Sequence, residues 1–141
     1  MVEKRKVVDR LIDQFWKQGY LTISRRFGTY LPEPEKIGNF EVDIIAKQRN
    51  NYAIGLILSD EDFKNPNLLE KLTYLATRQT KYTNKKVNLF VGINLELFSR
   101  LKAIIRLLSP EARNSIRLIP LDNNNSFQRS KIKEKEKILF S

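Results

Sequence analysis

Two carboxylates, Glu41 and Asp43, stand two residues apart in the otherwise apolar segment Phe40-Glu-Val-Asp-Ile-Ile-Ala-Lys47. Alternate residues of a strand share a face, so this spacing predicts both carboxylates on one side, with Phe40, Val42 and Ile44 on the other. Charges about 7 Å apart repel by roughly 2 kcal/mol at an effective dielectric near 20. The pair therefore needs water, a neighbouring base or a cation. With Mg²⁺ or Mn²⁺ it could polarise a water molecule for hydrolysis, and Asp43 and Glu41 are the metal ligands and catalytic residues such chemistry would use. A solvated strand edge would satisfy the same two residues without any chemistry.

The rest of the chain narrows the choice. Among 141 residues there is no cysteine and no histidine, which excludes disulfides, thiolate chemistry, His-based triads and imidazole metal sites. Twenty-six basic residues against 16 acidic ones give a net charge of +10. Such an excess favours polyanionic partners, nucleic acid first. The N-terminal segment "MVEKRKVVDRLIDQFW" is charged and amphipathic, unlike a signal peptide, and no apolar run approaches the roughly 20 residues of a membrane span. A cytoplasmic protein with no membrane partner is the expectation.

The elements that must position these residues follow from periodicity. Val7, Val8, Leu11, Ile12, Phe15 and Trp16 predict an amphipathic helix over Glu3 to Lys17, stopped at Gly19. "YLTISRRF", Tyr20 to Phe27, suits a strand and "GTYLPEPEKIG" a loop. Two strands, Asn39 to Lys47 and Tyr52 to Leu58, form a hairpin. Asn65-Pro66 predicts the start of a helix running to about Thr80, with Leu68, Leu69, Leu72, Leu75 and Ala76 inward. A strand from Lys86 to Ile93, a helix capped by Asn94 and ended by Ser109-Pro110, and the strand "SIRLIPL" complete the pattern. The order α, β, β, β, α, β, α, β predicts one α/β domain over residues 1–122, a mixed central sheet flanked by helices. Residues 123–141 are polar and lysine-rich and read as a basic tail, flexible or weakly helical.

Together, "VVDRLIDQFWKQGYLTISRR" and "FEVDIIAKQRNNYAIGLIL" resemble the restriction endonuclease-like superfamily, the PD-(D/E)XK nucleases, and look most like archaeal Holliday junction resolvases and Mrr-like endonucleases. The resemblance covers residues 3 to 93. It implies an αβββαβ core followed by αβ, and a Mg²⁺-dependent deoxyribonuclease site whose first acid is Asp43, with Val42 where many members have proline. It also implies Glu-x-Lys on the next strand. Depending on hairpin register, that motif falls on Gly55-Leu56-Ile57 or on Leu56-Ile57-Leu58, and neither contains Glu or Lys. Displaced substitutes would be Asp60, Glu61 or Asp62, Glu70 or Lys71, or the helix-borne Asp9 and Asp13. Asp60 and Asp62 equally suit the start of a helix, and Asp9 and Asp13 suit pairing with Arg5, Arg10 and Lys17.

Nucleic-acid contacts are expected from Arg25 and Arg26 on the first strand and from Lys71, Tyr74, Arg78 and Lys81, which recur at three- and four-residue spacing on the second helix. Lys85, Lys86 and the tail lysines add to these. The resemblance places Gln79 and Tyr82 near a metal site. Three readings result. The first is a catalytically degenerate nuclease fold that binds nucleic acid, DNA before RNA, or a nucleic-acid-processing complex. The second is an active metal-dependent endonuclease with displaced residues. The third is a homodimerising or protein-interaction module built on the apolar third strand or on the first and third helices.

Overall fold

The computed structural model describes residues 4–81 and 83–121. The predicted tail and Tyr82 lie outside the described residues. Ten elements follow in order: α1 (Lys4–Lys17), β1 (Leu21–Arg25), β2 (Ile44–Gln48), β3 (Asn51–Leu58), α2 (Asp60–Phe63), α3 (Leu68–Ala76), β4 (Asn88–Ile93), α4 (Leu95–Ile105), α5 (Pro110–Ser115) and β5 (Ile116–Pro120).

The strands form one sheet in the order β1-β2-β3-β4-β5. β1, β2 and β3 pair antiparallel, whereas β3, β4 and β5 pair parallel. Parallel neighbours need crossovers, and two crossovers of one hand advancing in one direction lay their helices on the same face. That face carries a core in which Leu68, Leu72 and Leu75 of α3, Leu97 and Leu101 of α4 and Ala112 of α5 pack on Ile54, Leu56, Leu89 and Val91. The other face is left to α1, whose Val8, Leu11 and Phe15 pack on Ile44, Ala46, Ala53, Ile57 and Phe90. The architecture is thus α/β with a five-stranded mixed sheet between helical layers.

Local signals explain the ends of α1. Gly19 has φ +88°, its N–H donates to the Trp16 carbonyl, and Tyr20 N–H donates to that of Phe15, the paired bonds of a Schellman stop. Phe15 then turns inward against Tyr20 and Phe90, with ring centroids 5.7 and 4.6 Å away. Trp16, expected on the apolar face, is 67% exposed because the buried stripe of α1 is narrower than its apolar sequence. At α4 the predicted cap is present: Asn94 Oδ1 accepts from Glu96 N–H at 2.9 Å. Asn94→Ala should lower stability by about 1 kcal/mol, read as a lower denaturant midpoint with unchanged slope.

Several boundaries differ from expectation. α3 starts at Leu68, not at Asn65-Pro66, because Asn65 Oδ1 caps Asn67 N–H in a turn before the helix. It ends at Ala76 because the Thr77 hydroxyl bonds back to the Thr73 carbonyl at 2.8 Å and the chain leaves toward β4. Ser59 N–H donates to Asp62 Oδ2 at 2.7 Å, which starts the short helix α2. Ser109-Pro110, read as a helix end, also begins α5: the Ser109 hydroxyl accepts from Ala112 N–H. The third strand is central, and Ala53 through Leu58 are buried between the two layers, so β3 presents no face to a second copy.

Candidate functional site

Asp43 lies just before β2, and the ladder is irregular there. Ile44 is the ladder partner of Gly55, and Asp43 N–H donates to the Gly55 carbonyl at 3.0 Å, so two successive residues meet one, as in a β-bulge. The extra residue breaks the expected alternation. Val42 packs with α3 while Ile44 packs with α1, although both were placed on one face. Asp43, only 3% exposed, directs Oδ2 at the Ile57 N–H of β3, 2.8 Å away. Its side chain thereby takes the place of a strand carbonyl.

The second oxygen faces cations. Asp43 Oδ1 is 3.6 Å from Arg26 Nη1 and 3.9 Å from Lys4 Nζ. It is buried without a hydrogen bond, so its charge is met by these two ion pairs alone. Arg26 also reaches Glu41 at 4.0 Å and stacks on Phe27. Glu41, with a side chain 67% exposed, does not share Asp43's enclosure. It borders a different crevice with Lys36, Asp62 and Lys71.

The partner positions for a nuclease site can now be assigned. Gly55 and Ile57 face α1, the helix that carries Lys4, whereas Leu56 and Leu58 face α3. Gly55 and Ile57 therefore flank Asp43. A Cβ built on Gly55 would lie 2.8 Å from Ile44 Cβ and 2.9 Å from a ring carbon of Phe15, which leaves no room for a longer side chain. Mg²⁺ asks for six oxygens in octahedral array, one or two of them from carboxylates with free lone pairs and the others from water or substrate. Here one carboxylate meets hydrocarbon, a backbone amide and two positive side chains, and among the described residues no group of three or more acidic side chains is placed to hold a metal ion. This donor set does not fit Mg²⁺ or Mn²⁺.

Of the displaced candidates, Asp62 and Asp9 are engaged elsewhere. Asp62 caps α2, and Asp60 and Glu61 border a crevice of about 420 Å³ with Lys4 and Asn94 at the carboxyl ends of β3 and β4. Asp9 pairs with Arg25, with Oδ1 2.6 Å from Arg25 Nη2 in an ion pair not aligned as a hydrogen bond. Arg25 Nε donates to the Arg26 carbonyl. Arg25 and Arg26, expected to hold phosphates, are thus engaged by Asp9, Asp43 and Glu41.

The expected basic stripe is also divided. Lys71 and Tyr74 lie on α3, while Arg78 and Lys81 follow its end. Lys71 shares its crevice with Glu41 and Asp62. The Tyr74 ring packs over Gly38, whose φ is +63°, and 5.5 Å from Phe40. Arg78 lies over that ring, 3.7 Å from its centroid, and donates from Nε to the Tyr74 carbonyl at 2.8 Å. Tyr74 is therefore a packing residue that orients a guanidinium.

What periodicity missed is a basic end of the sheet. Residues 47–51 carry Lys47 and Arg49, and residues 77–87 carry Arg78, Lys81, Lys85 and Lys86, with no acidic residue in either segment. Parallel pairing of Ala53 with Asn88 and a bridge between Gln79 and Lys86 bring the two segments to the same end. Charge counted along a single helix could not find this grouping. The acid-free composition of two separate loops was its only sequence signal. Among the described residues, no helix is long and apolar enough to cross a membrane. Comparison with family models, curated proteins and solved structures finds no match for this chain.

Proposed function

We propose that this protein binds nucleic acid, with DNA the first polymer to test, through the end of the sheet that carries the β2–β3 turn and the α3–β4 loop, and that it does so without metal-dependent cleavage. The observation that carries the reading is the acid-free gathering of Lys47, Arg49, Arg78, Lys81, Lys85 and Lys86 at that end. None of these six is in an ion pair with a described residue, so binding phosphate would not require breaking one. The nuclease resemblance supplies Asp43 but at the other end: from Tyr52 to Ile57, strand geometry spans roughly 17 Å. A phosphate held at the basic end is thus remote from the one buried carboxylate.

Phosphate contacts release counterions, so three to four of them predict that log K falls with log salt at a slope of roughly 3. Fluorescence anisotropy with duplex, branched and single-stranded DNA across a salt series measures it. Lys85→Glu/Lys86→Glu should weaken binding about tenfold or more by charge reversal at unhindered side chains. Binding that ignores both salt and these substitutions would sink the proposal. Mg²⁺- or Mn²⁺-dependent cleavage that vanishes in Asp43→Ala would replace it with the nuclease reading.

A further inference from the structure

The basic end also contains a cleft. It has a volume of about 530 Å³ and opens on the α3 side of the β2–β3 hairpin, within the range of small-ligand sites. Its floor is apolar: Ile37, Ile45, Ile54 and Val87, with the ring of Tyr52. Its rim is cationic: Lys47, Arg78 and Lys81. Asn50 and Gln79 also line it, and no acidic residue borders the cavity among the described residues.

We infer that this cleft receives a single unpaired nucleotide, its base on the apolar floor and its phosphate on the Lys47, Arg78 and Lys81 rim. Charge complementarity selects the phosphate, since three cations without a carboxylate partner surround one opening. The floor selects what accompanies it. A hydrocarbon wall beside an aromatic ring suits a planar base and gives inorganic phosphate nothing. Asn50 and Gln79 carry the donors and acceptors that a base edge needs. Two contacts hold the rim cations: Arg78 donates from Nε to the Tyr74 carbonyl and lies over that ring, and Lys47 Nζ lies 5.5 Å from the Tyr52 ring centroid.

A duplex keeps its bases stacked and paired, so a cleft of this kind predicts preference for single strands, ends or extruded bases. The inference deepens the proposed nucleic-acid binding by naming the form that binds, and it rests on that reading only for its source of nucleotides. A free nucleoside monophosphate has the same chemistry.

The test is titration of the full chain with AMP, adenosine and inorganic phosphate, followed by amide NMR, together with single-stranded and duplex oligonucleotide binding by anisotropy. AMP should shift amides around Lys47, Tyr52, Gln79 and Val87 and bind at least about tenfold more tightly than adenosine or phosphate alone, because only it fills both halves of the site. Thr83→Trp, which fills the mouth, and Lys47→Glu/Lys81→Glu, both at exposed positions, should each reduce AMP affinity about tenfold or more. Arg106→Glu/Arg113→Glu, the same charge change at exposed positions at the end of α4 and on α5, is the comparison. If single-stranded oligonucleotide competes with AMP, the nucleotide comes from a strand. If AMP binds in the cleft and no oligonucleotide of any kind binds, the cleft stands with a free nucleotide as its ligand and the nucleic-acid reading falls. If oligonucleotides bind but AMP does not, or phosphate binds as well as AMP, or Lys47→Glu/Lys81→Glu leaves AMP affinity unchanged, the cleft inference is overturned while nucleic-acid binding survives.

Discussion

Gly55→Glu, which would return a carboxylate to the strand beside Asp43, is expected to unfold the domain rather than to create a metal site. The new Cβ alone would stand 2.8 Å from Ile44 Cβ and 2.9 Å from Phe15, and both neighbours are fully buried. Neither can withdraw, because Phe15 is wedged between Tyr20 and Phe90 and Ile44 belongs to the adjoining strand. Overpacking of this kind costs about 1–3 kcal/mol, and a carboxylate buried among hydrocarbons adds several more, against a total stability of about 5–15 kcal/mol for a typical domain. Loss of the cooperative thermal transition is the expected readout. Gly55→Ala separates the two costs and should retain the transition at a lower temperature. A folded Gly55→Glu protein that gained Mg²⁺-dependent cleavage would show the site to be dormant rather than closed.

Asp43→Ala should lower stability by about 2–3 kcal/mol without changing affinity for nucleic acid by more than about twofold. Most of the cost comes from the Ile57 N–H, which loses its buried acceptor in the centre of the sheet. The ion pairs to Lys4 and Arg26 add little, because those side chains are 46% and 33% exposed and can turn to water. Asp43→Asn keeps an oxygen for Ile57 and should recover more than half of the loss. Urea unfolding of the three proteins checks the order, with a constant slope showing that the same surface is exposed in each. An Asp43→Ala protein as stable as the parent would mean that the bond to Ile57 contributes nothing. A large fall in nucleic-acid affinity at unchanged stability would place binding at Asp43 after all.

Both outcomes turn on how this carboxylate is used. A catalytic acid has to leave lone pairs for a cation or a proton in transit. The Asp43 oxygens are instead directed at a strand amide and at two cations, Lys4 on α1 and Arg26 just after β1. The residue that looks most like a remnant of chemistry is thereby part of the joint between α1, β1 and the hairpin. Such a role accounts for a buried acid with no metal-binding companions and requires no activity.

The elements themselves were legible in the chain because each rests on neighbours within one or two turns. Three- and four-residue spacing marks α1, the glycine at position 19 marks its stop, the uncharged run in β3 marks a strand buried on both faces, and Asn94 marks the start of α4. The element order α, β, β, β, α, β, α, β is present, with two short helices added where Asp62 and Ser109 cap turns. The missing Glu-x-Lys could also be read directly, since every residue in either register is Gly, Leu or Ile.

What composition and periodicity determined was therefore the layered α/β architecture and the basic balance. Tertiary structure alone decided where the charges act. One extra residue opposite Gly55 broke the alternation between Asp43 and Ile44 and left Asp43 buried, while Glu41 stays exposed and meets it only through the shared Arg26 guanidinium. Ion pairs with Asp9, Asp43 and Glu41 engaged Arg25 and Arg26, and parallel pairing of β3 with β4 brought two loops some 30 residues apart into one basic cleft. Periodicity is a property of neighbours along the chain, whereas the use of a charge depends on register between strands, which a single added residue resets.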